Sequence, residues 1–140
     1  MPTFTLDDRL ERDSVHVVDL SLSQVRLSRD ARYPWLVLVP RRADVVELFD
    51  LDEADQRELW REATALGQAM MTHWRGDKLN VATLGNVVAQ LHVHVIVRFA
   101  DDPAWPGPVW GQGEAETYAE AALDERCETI RRLARTLDAG

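Results

Sequence analysis

Residues 86–98 read Asn86-Val-Val-Ala-Gln-Leu-His-Val-His-Val-Ile-Val-Arg98. In a β-strand, successive side chains point to opposite faces, so one face of this stretch carries only aliphatic side chains. The opposite face carries Gln90, His92, His94, Ile96 and Arg98. Alternate Cα atoms in a strand lie about 6.6 to 7 Å apart, so the two imidazoles are close enough to cooperate. We therefore expect a loop over Gly85 to Ala89, followed by a strand with one face in the core and the other face lining a site.

Two neighbouring imidazoles support two kinds of chemistry. One ring can attack an electrophile while the other donates a hydrogen bond. Alternatively, both rings can bind a metal ion through their ring nitrogens. His92 and His94 alone do not decide between these two readings, so the rest of the chain has to be considered.

The sequence on either side of the histidines predicts an α+β fold. Helices are expected where apolar residues recur every three or four positions, and strands where they alternate or run continuously. The predicted helices are Asp7 to Asp13, Asp52 to Trp74 and Glu114 to Leu137. The other predicted strands are Ser14 to Asp19, Gln24 to Ser28, Trp35 to Pro40 and Lys78 to Leu84. This order favours an antiparallel sheet, with the continuously apolar Trp35 strand at its centre.

Composition limits the number of domains and the class of partner. With 140 residues, 46% of them hydrophobic, the chain is expected to form one domain over residues 1–140. No apolar run is long enough to cross a membrane and the first residues have no pattern of a secretory signal, so a cytoplasmic location is expected. The single cysteine, Cys127, excludes an internal disulfide. A net charge of −8 disfavours binding to nucleic acid or to an anionic membrane, whereas a small phosphate ligand needs only a few local donors.

Three motifs carry a resemblance to a known family. They are Gln90-Leu-His-Val-His-Val-Ile96, Tyr33-Pro-Trp-Leu-Val-Leu-Val-Pro40 and Trp105-Pro-Gly-Pro-Val-Trp-Gly111. The first resembles the signature of the histidine triad (HIT) family, His-x-His-x-His followed by two apolar residues, and the set is similar to a bacterial HIT-like branch. The resemblance covers about residues 15–105 and leaves a C-terminal loop and helix over 106–140. It implies an antiparallel sheet of about five strands with one long central helix and a C-terminal helix, and it implies a homodimer.

The resemblance also implies an activity. Members of the family are nucleotide-binding hydrolases or transferases that act at the α-phosphate of a nucleoside phosphate derivative, such as a dinucleoside polyphosphate or a nucleoside phosphoramidate. The middle histidine forms a covalent nucleotidyl-histidine intermediate, and His92 occupies its position. His94 matches the third histidine, and Gln90 stands where the first would be. No metal ion and no cofactor are required.

Other matching positions imply contacts with the substrate. Asn80 and Asn86 match residues that contact phosphate or sugar, and Asp30 matches a ribose partner. Amide groups of Asn80, Asn86 and the loop at Gly85 can stabilise charge on the nonbridging oxygens. Asp30 has an alternative role in closing a turn. Arg98 either binds phosphate or forms a structural ion pair.

Physical chemistry supports a nucleophilic histidine and shows where this chain departs from the family. An imidazole attacks through Nε2 only if its proton is on Nδ1, and a nearby backbone carbonyl can fix that tautomer. Gln90 cannot act as a general acid. We therefore expect turnover to favour leaving groups that are already stable as anions, such as a nucleotide or pyrophosphate, over amines. Trp35 is a second departure, because some branches carry a further histidine near this position.

Two other kinds of function compete with this interpretation. His-x-His on a strand also begins the metal motif of cupin-type barrels, but that motif needs a glutamate soon afterwards, where this chain has Arg98 and Phe99. The spare nitrogen and sulfur ligands are limited to His16, His73 and Cys127. The second alternative is a nucleotide-binding module that has lost turnover through Gln90.

The roles of two tryptophans also stay open at this point. Trp105 and Trp110 lie in a loop rich in proline and glycine. They either form a wall of the nucleotide pocket or fill the gap beneath the last helix, since a tryptophan buries a large area.

Overall fold

The computed structural model describes residues 2–138, and this part of the chain forms an α+β fold around a five-stranded antiparallel sheet. The helices are α1 (Asp8–Asp13), α2 (Glu53–Trp74) and α3 (Glu120–Asp138), with a 3-10 turn at Leu48–Asp50. The strands are β1 (Ser14–Asp19), β2 (Ser23–Ser28), β3 (Trp35–Pro40), β4 (Lys78–Ala82) and β5 (Val93–Arg98). Their order across the sheet is β1-β2-β3-β5-β4. The predicted fold class, with its long central helix and C-terminal helix, is confirmed.

Three residues of the domain predicted over 1–140 lie outside the described residues: 1, 139 and 140. That the chain forms one domain stays a prediction. None of the described helices is long and apolar enough to cross a membrane. The cytoplasmic location also stays a prediction.

The central strand, β3, is buried on both faces. Leu36 and Leu38 belong to the main core, which lies between the sheet and the helices α2 and α3. Val37 and Val39 point to the other side and pack with Leu10 of α1. This two-sided cover explains why the strand is apolar throughout. The strand β3 also separates the main core from the side of the sheet that carries α1.

The long helix α2 begins and ends close to its predicted limits. The side chain of Asp52 caps its first turn by accepting a hydrogen bond from the backbone N–H of Asp55. After Trp74 the chain turns through Arg75, which has a left-handed backbone conformation (φ 54°). The helix buries an apolar stripe against the sheet, formed by Leu59, Ala63, Leu66 and Met70.

The histidine strand is shorter than its alternating pattern predicts. β5 begins only at Val93, and the backbone N–H of Leu91 donates to the carbonyl of Val45 in a loop, not to a neighbouring strand. Within β5 the predicted alternation holds, because Val93, Val95 and Val97 all lie in the main core. Residues 86–92 therefore follow a loop path, and their side chains are not bound to the alternation of the strand.

The last helix also begins later than predicted, at Glu120 and not at Glu114. The residues before it lie extended beside the loop that follows β2. Thr117 forms an isolated antiparallel bridge with Asp30, and the N–H of Ala31 donates to the carbonyl of Glu116 at 2.8 Å. Backbone groups used in this bridge are not available for helical hydrogen bonds.

Candidate functional site

A cleft of about 500 Å³ lies on the side of the sheet that carries α1. Its walls come from α1, β3, residues 84–88 and Trp110. Both His92 and His94 line it. The two histidines singled out by their spacing therefore share one open cavity, and neither is packed into the main core.

The ring of His92 is held in one tautomer by the backbone. Its Nδ1 lies 2.7 Å from the carbonyl oxygen of Gln90. A carbonyl oxygen can only accept a hydrogen bond, so Nδ1 must carry the proton. The other nitrogen, Nε2, then keeps its lone pair. His92 is only 6% exposed, and the cleft is the space that its ring borders.

The ring of His94 is held in the opposite tautomer. Its Nδ1 lies 3.0 Å from Nε1 of Trp35. An indole N–H can only donate, so Nδ1 of His94 accepts, and the proton of the neutral ring is on Nε2. Burial, followed by the proximity of His92, lowers the pKa of His94 to about 3. His94 is therefore neutral near pH 7 and is available as a hydrogen-bond donor.

Aromatic rings fix the position of the two imidazoles. The ring centroids of His92 and His94 lie 4.9 Å apart, with an interplanar angle of 76°. Trp110 packs edge-on against His94, with centroids 5.0 Å apart, and against Trp35 at 5.8 Å. Such edge-to-face contacts favour a defined ring orientation. Trp110 is thus part of the cleft wall, one of the two roles considered for it.

The loop before the histidines supplies two further predicted residues to the cleft. Gly85 and Asn86 both line it. Gly85 has a φ of +78°, which glycine adopts readily and other residues rarely do. The same loop is attached to α1, because the guanidinium of Arg9 donates to the carbonyl of Val87 at 2.9 Å. Gly85, Asn86 and the two histidines are therefore brought together.

The side chain of Gln90 is directed away from this group. Its amide nitrogen donates to the carbonyl of Thr5, and its amide oxygen accepts from the N–H of Asp7, both at 2.8 Å. Because Gln90 precedes β5, it does not follow the strand alternation that would align its side chain with His92. Its backbone carbonyl contacts His92, and its side chain binds the N-terminal segment.

Arg98 and Asn80 form a separate buried network. Arg98 makes two hydrogen bonds to Asp102, at 2.7 and 2.9 Å, and a third to the side-chain oxygen of Asn80 at 2.9 Å. The hydrogen bond to Asp102 raises the pKa of Arg98. Burial raises the pKa of Asp102, but the hydrogen bond and charge of Arg98 outweigh it, and the net shift is downward. This geometry is that of the structural ion pair considered for Arg98, and neither Arg98 nor Asn80 lines the cleft.

Asp30 also lies outside the cleft. It forms a close ion pair with Arg32, with 2.9 Å between the charged atoms, and it accepts from the N–H of Glu116. Burial raises the pKa of Asp30, yet the hydrogen bonds from Arg32 and Glu116 bring it below its usual value. Asp30 therefore holds a turn and the segment before α3, which matches the alternative of turn closure.

Trp105 lies away from the cleft wall. Its ring lies 5.8 Å from the guanidinium carbon of Arg98, a cation–π distance. Trp105 is exposed, and of the two roles considered for it, the cleft wall is formed without it.

Sequence reasoning missed three residues that shape these networks. Asp102, the partner of Arg98, follows it by four positions, and this spacing of opposite charges was a usable signal. Trp35 was assigned no role in the site, although it contacts His94 directly. Arg9 belongs to a helix that is distant in the sequence, so no local pattern could link it to the cleft. In the described part of the chain, no group of three or more His, Cys, Asp or Glu side chains is arranged to hold a metal ion.

Comparison with known proteins identifies the class. Residues 9–101 match the model of the HIT domain, and the chain belongs to the histidine triad family. It is similar to a histidine triad protein from Bradyrhizobium japonicum, with 44% identity over 95% of this chain and 99% of that one, and a TM-score of 0.92. A histidine triad protein from Sinorhizobium meliloti is 47% identical over 93% of this chain and 96% of that one, with a TM-score of 0.90. A third, from Marinobacter aquaeolei, is 40% identical over 97% and 99%, with a TM-score of 0.94. No match was found among curated proteins.

Proposed function

We propose that this protein binds a nucleoside phosphate derivative in the cleft and hydrolyses or transfers it at the α-phosphate through a nucleotidyl-His92 intermediate. The observation that supports this most directly is the hydrogen bond from Nδ1 of His92 to the carbonyl of Gln90. It leaves the Nε2 lone pair on a ring that borders the cleft, which is the state that a nucleophilic imidazole requires. Family membership adds that this type of site is expected on this fold.

The proposed reaction has two displacements at phosphorus. In the first, the Nε2 lone pair of His92 forms an N–P bond, and the bond from phosphorus to the leaving group breaks with its electron pair on the leaving group. The ring becomes positively charged, and its Nδ1–H remains on the Gln90 carbonyl, whose dipole favours that charge. In the second, water attacks phosphorus, the N–P electron pair returns to His92, and a proton is released with the mononucleotide.

Other groups in the cleft would stabilise charge on the phosphate oxygens. The Nε2–H of His94 is a donor, and Gly85 and Asn86 supply amide groups on the same cleft. Hydrogen-bond donors arranged in advance around a reacting phosphate are a main source of rate enhancement in such reactions. No step of the proposed mechanism needs a metal ion.

The cleft lacks an efficient general acid to protonate a leaving group. Gln90, in the place of the first motif histidine, is a neutral amide whose side chain is held by Thr5 and Asp7. His94 has a pKa of about 3 and is rarely protonated at neutral pH. We therefore propose that a dinucleoside polyphosphate, which releases a stable anion, is a better substrate than a nucleoside phosphoramidate, which releases an amine.

The test is to incubate the protein separately with a dinucleoside polyphosphate and a nucleoside phosphoramidate and to measure release of mononucleotide. His92→Asn should abolish release, because it removes the nucleophile while keeping a side chain of similar size. His16→Asn is the matched control, since His16 is exposed on β1 and contacts Asp19, and it should retain activity. Equal rates with both substrates would refute the leaving-group preference. Binding without any mononucleotide would refute the enzymatic proposal and favour a binding module.

A further inference from the structure

We propose that Trp35 is a positioning residue that holds His94 in its Nε2–H tautomer, so that His94 meets the bound phosphate as a donor. This inference rests on the proposed function for the identity of the ligand. The tautomer itself can be tested without any ligand.

The contact between the two side chains allows only one arrangement of protons. The 3.0 Å separation joins an indole nitrogen, which always carries hydrogen, to Nδ1 of His94. A proton on that Nδ1 would place two N–H groups against each other and lose the hydrogen bond. Both the other neutral tautomer and the imidazolium form of His94 are therefore disfavoured by Trp35.

Trp35 is itself well fixed in the fold. It is the first residue of β3, where it lies opposite Ile96 of β5. Its ring packs edge-on against Tyr33, with centroids 6.4 Å apart, and against Trp110 on another side. The indole N–H is therefore presented to His94 by a strand and two aromatic neighbours. A donor on a rigid strand is well suited to hold another side chain in place.

The result is a pair of histidines with complementary roles. The Gln90 carbonyl gives His92 a free lone pair on Nε2, whereas the Trp35 indole gives His94 a proton on Nε2. If His94 adopted the other tautomer, its Nε2 lone pair would repel the oxygens of the phosphate group that His92 attacks. By fixing the tautomer of His94, Trp35 gives two neighbouring histidines different roles: His92 is the nucleophile and His94 is the hydrogen-bond donor.

The residues paired with His94 in the sheet cannot fix its tautomer in place of Trp35. On the neighbouring strands, His94 lies opposite Val37 of β3 and Ala82 of β4, neither of which carries a charge. The charged residues that line the same cleft are Arg9 and Asp13, at α1. The other titratable neighbour is His92, whose ring lies 4.9 Å away by centroids.

The first test is ¹⁵N NMR of the histidine rings at about pH 7. In the wild type we expect His92 as the Nδ1–H tautomer and His94 as the Nε2–H tautomer, with a coupling across the hydrogen bond from Trp35 Nε1 to His94 Nδ1. In Trp35→Phe, His94 should become a mixture of tautomers, while His92 keeps its state. Trp60→Phe is the matched control, because Trp60 is partly exposed on α2 and does not line the cleft.

The second test measures binding and turnover. In Trp35→Phe, the dissociation constant for adenosine monophosphate should rise, and kcat should fall, each about twofold, because only the fraction of molecules with the His94 proton on Nε2 offers the donor. The acid side of the pH profile should also become steeper, because His94 can then accept a proton more easily. Trp60→Phe should change none of these quantities.

Three results would overturn the inference. They are a wild-type His94 that carries its proton on Nδ1, a Trp35→Phe variant in which His94 stays fully in the Nε2–H form, and a freed tautomer with unchanged nucleotide binding and kcat. If Trp35→Phe fails to fold, the wild-type spectrum decides whether Trp35 donates to His94: a coupling across this hydrogen bond supports the inference, and its absence overturns it. A wild type that shows the expected tautomers and binds adenosine monophosphate but never turns over a substrate would refute the proposed enzymatic function and leave the positioning role of Trp35 intact.

Discussion

Lowering the pH from about 7.5 to about 4.5 should destabilise this protein through His94 by about 3 kcal/mol. The folded-state pKa of His94 is about 3, against about 6.5 in the unfolded chain. Between these two values the unfolded state binds a proton that the folded state does not. The stability is therefore fully present above pH 6.5 and falls by about 1.4 kcal/mol for each pH unit below it, until the pH approaches 3.

The physical cause is the burial of a neutral ring. His94 is 8% exposed, and its Nδ1 already accepts from Trp35, so the folded protein has no favourable place for the second proton. Carboxylates that are paired in the folded state also lose stability in acid. Their contribution has to be separated from that of His94 by comparing variants.

Urea unfolding of the wild type and of His94→Gln at both pH values makes this comparison. Glutamine cannot be protonated here and can still accept from Trp35, so the loss of stability in acid should be smaller by about 3 kcal/mol than in the wild type. His16→Gln is the control, because His16 is exposed on β1. It should show the same pH dependence as the wild type. A His94→Gln variant with wild-type pH dependence would refute this account of His94.

Two further predictions concern the buried ion pair and the assembly. Asp102→Asn should lower the free energy of unfolding in urea by about 3 kcal/mol or more, because it leaves the buried charge of Arg98 without its partner. The control, Asp101→Asn at an exposed neighbour, should lower it by less than about 0.5 kcal/mol. Equal losses in the two variants would contradict the prediction. The chain is expected to form a homodimer, and β4, an edge strand of the sheet, has backbone groups free for pairing. Light scattering should give twice the mass of one chain, and a single-chain mass at all concentrations tested would contradict it.

Much of the fold could be predicted because it depends on local periodicity. The limits of β1 and β3 were predicted as they occur, and the stripe of α2 faces the sheet as its spacing indicates. Two predictions failed where backbone hydrogen bonds are made to distant residues. These were the length of the histidine strand, where Leu91 binds Val45, and the start of α3, where Thr117 pairs with Asp30.

The candidate site was predictable only in part, for a related reason. The spacing of His92 and His94 placed them on one face, and the glycine loop before them was placed beside them. A period of two gives the face of a strand but not the partner that covers it. Arg98 shares that face, yet it is neutralised by Asp102, and the side chain of Gln90 is bound by residues more than 80 positions earlier in the chain.

The two hydrogen bonds of the Gln90 side chain connect the nucleophile to the segment before α1. Thr5 and Asp7 hold the same residue whose carbonyl sets the proton on His92. When the early segment opens, the Gln90 side chain loses both anchors. The peptide that carries its carbonyl is then held less firmly, through the hydrogen bond of the Leu91 N–H to Val45. Fraying of the segment before α1 should therefore lower the fraction of molecules in which His92 can react, even though this segment contacts no reacting atom.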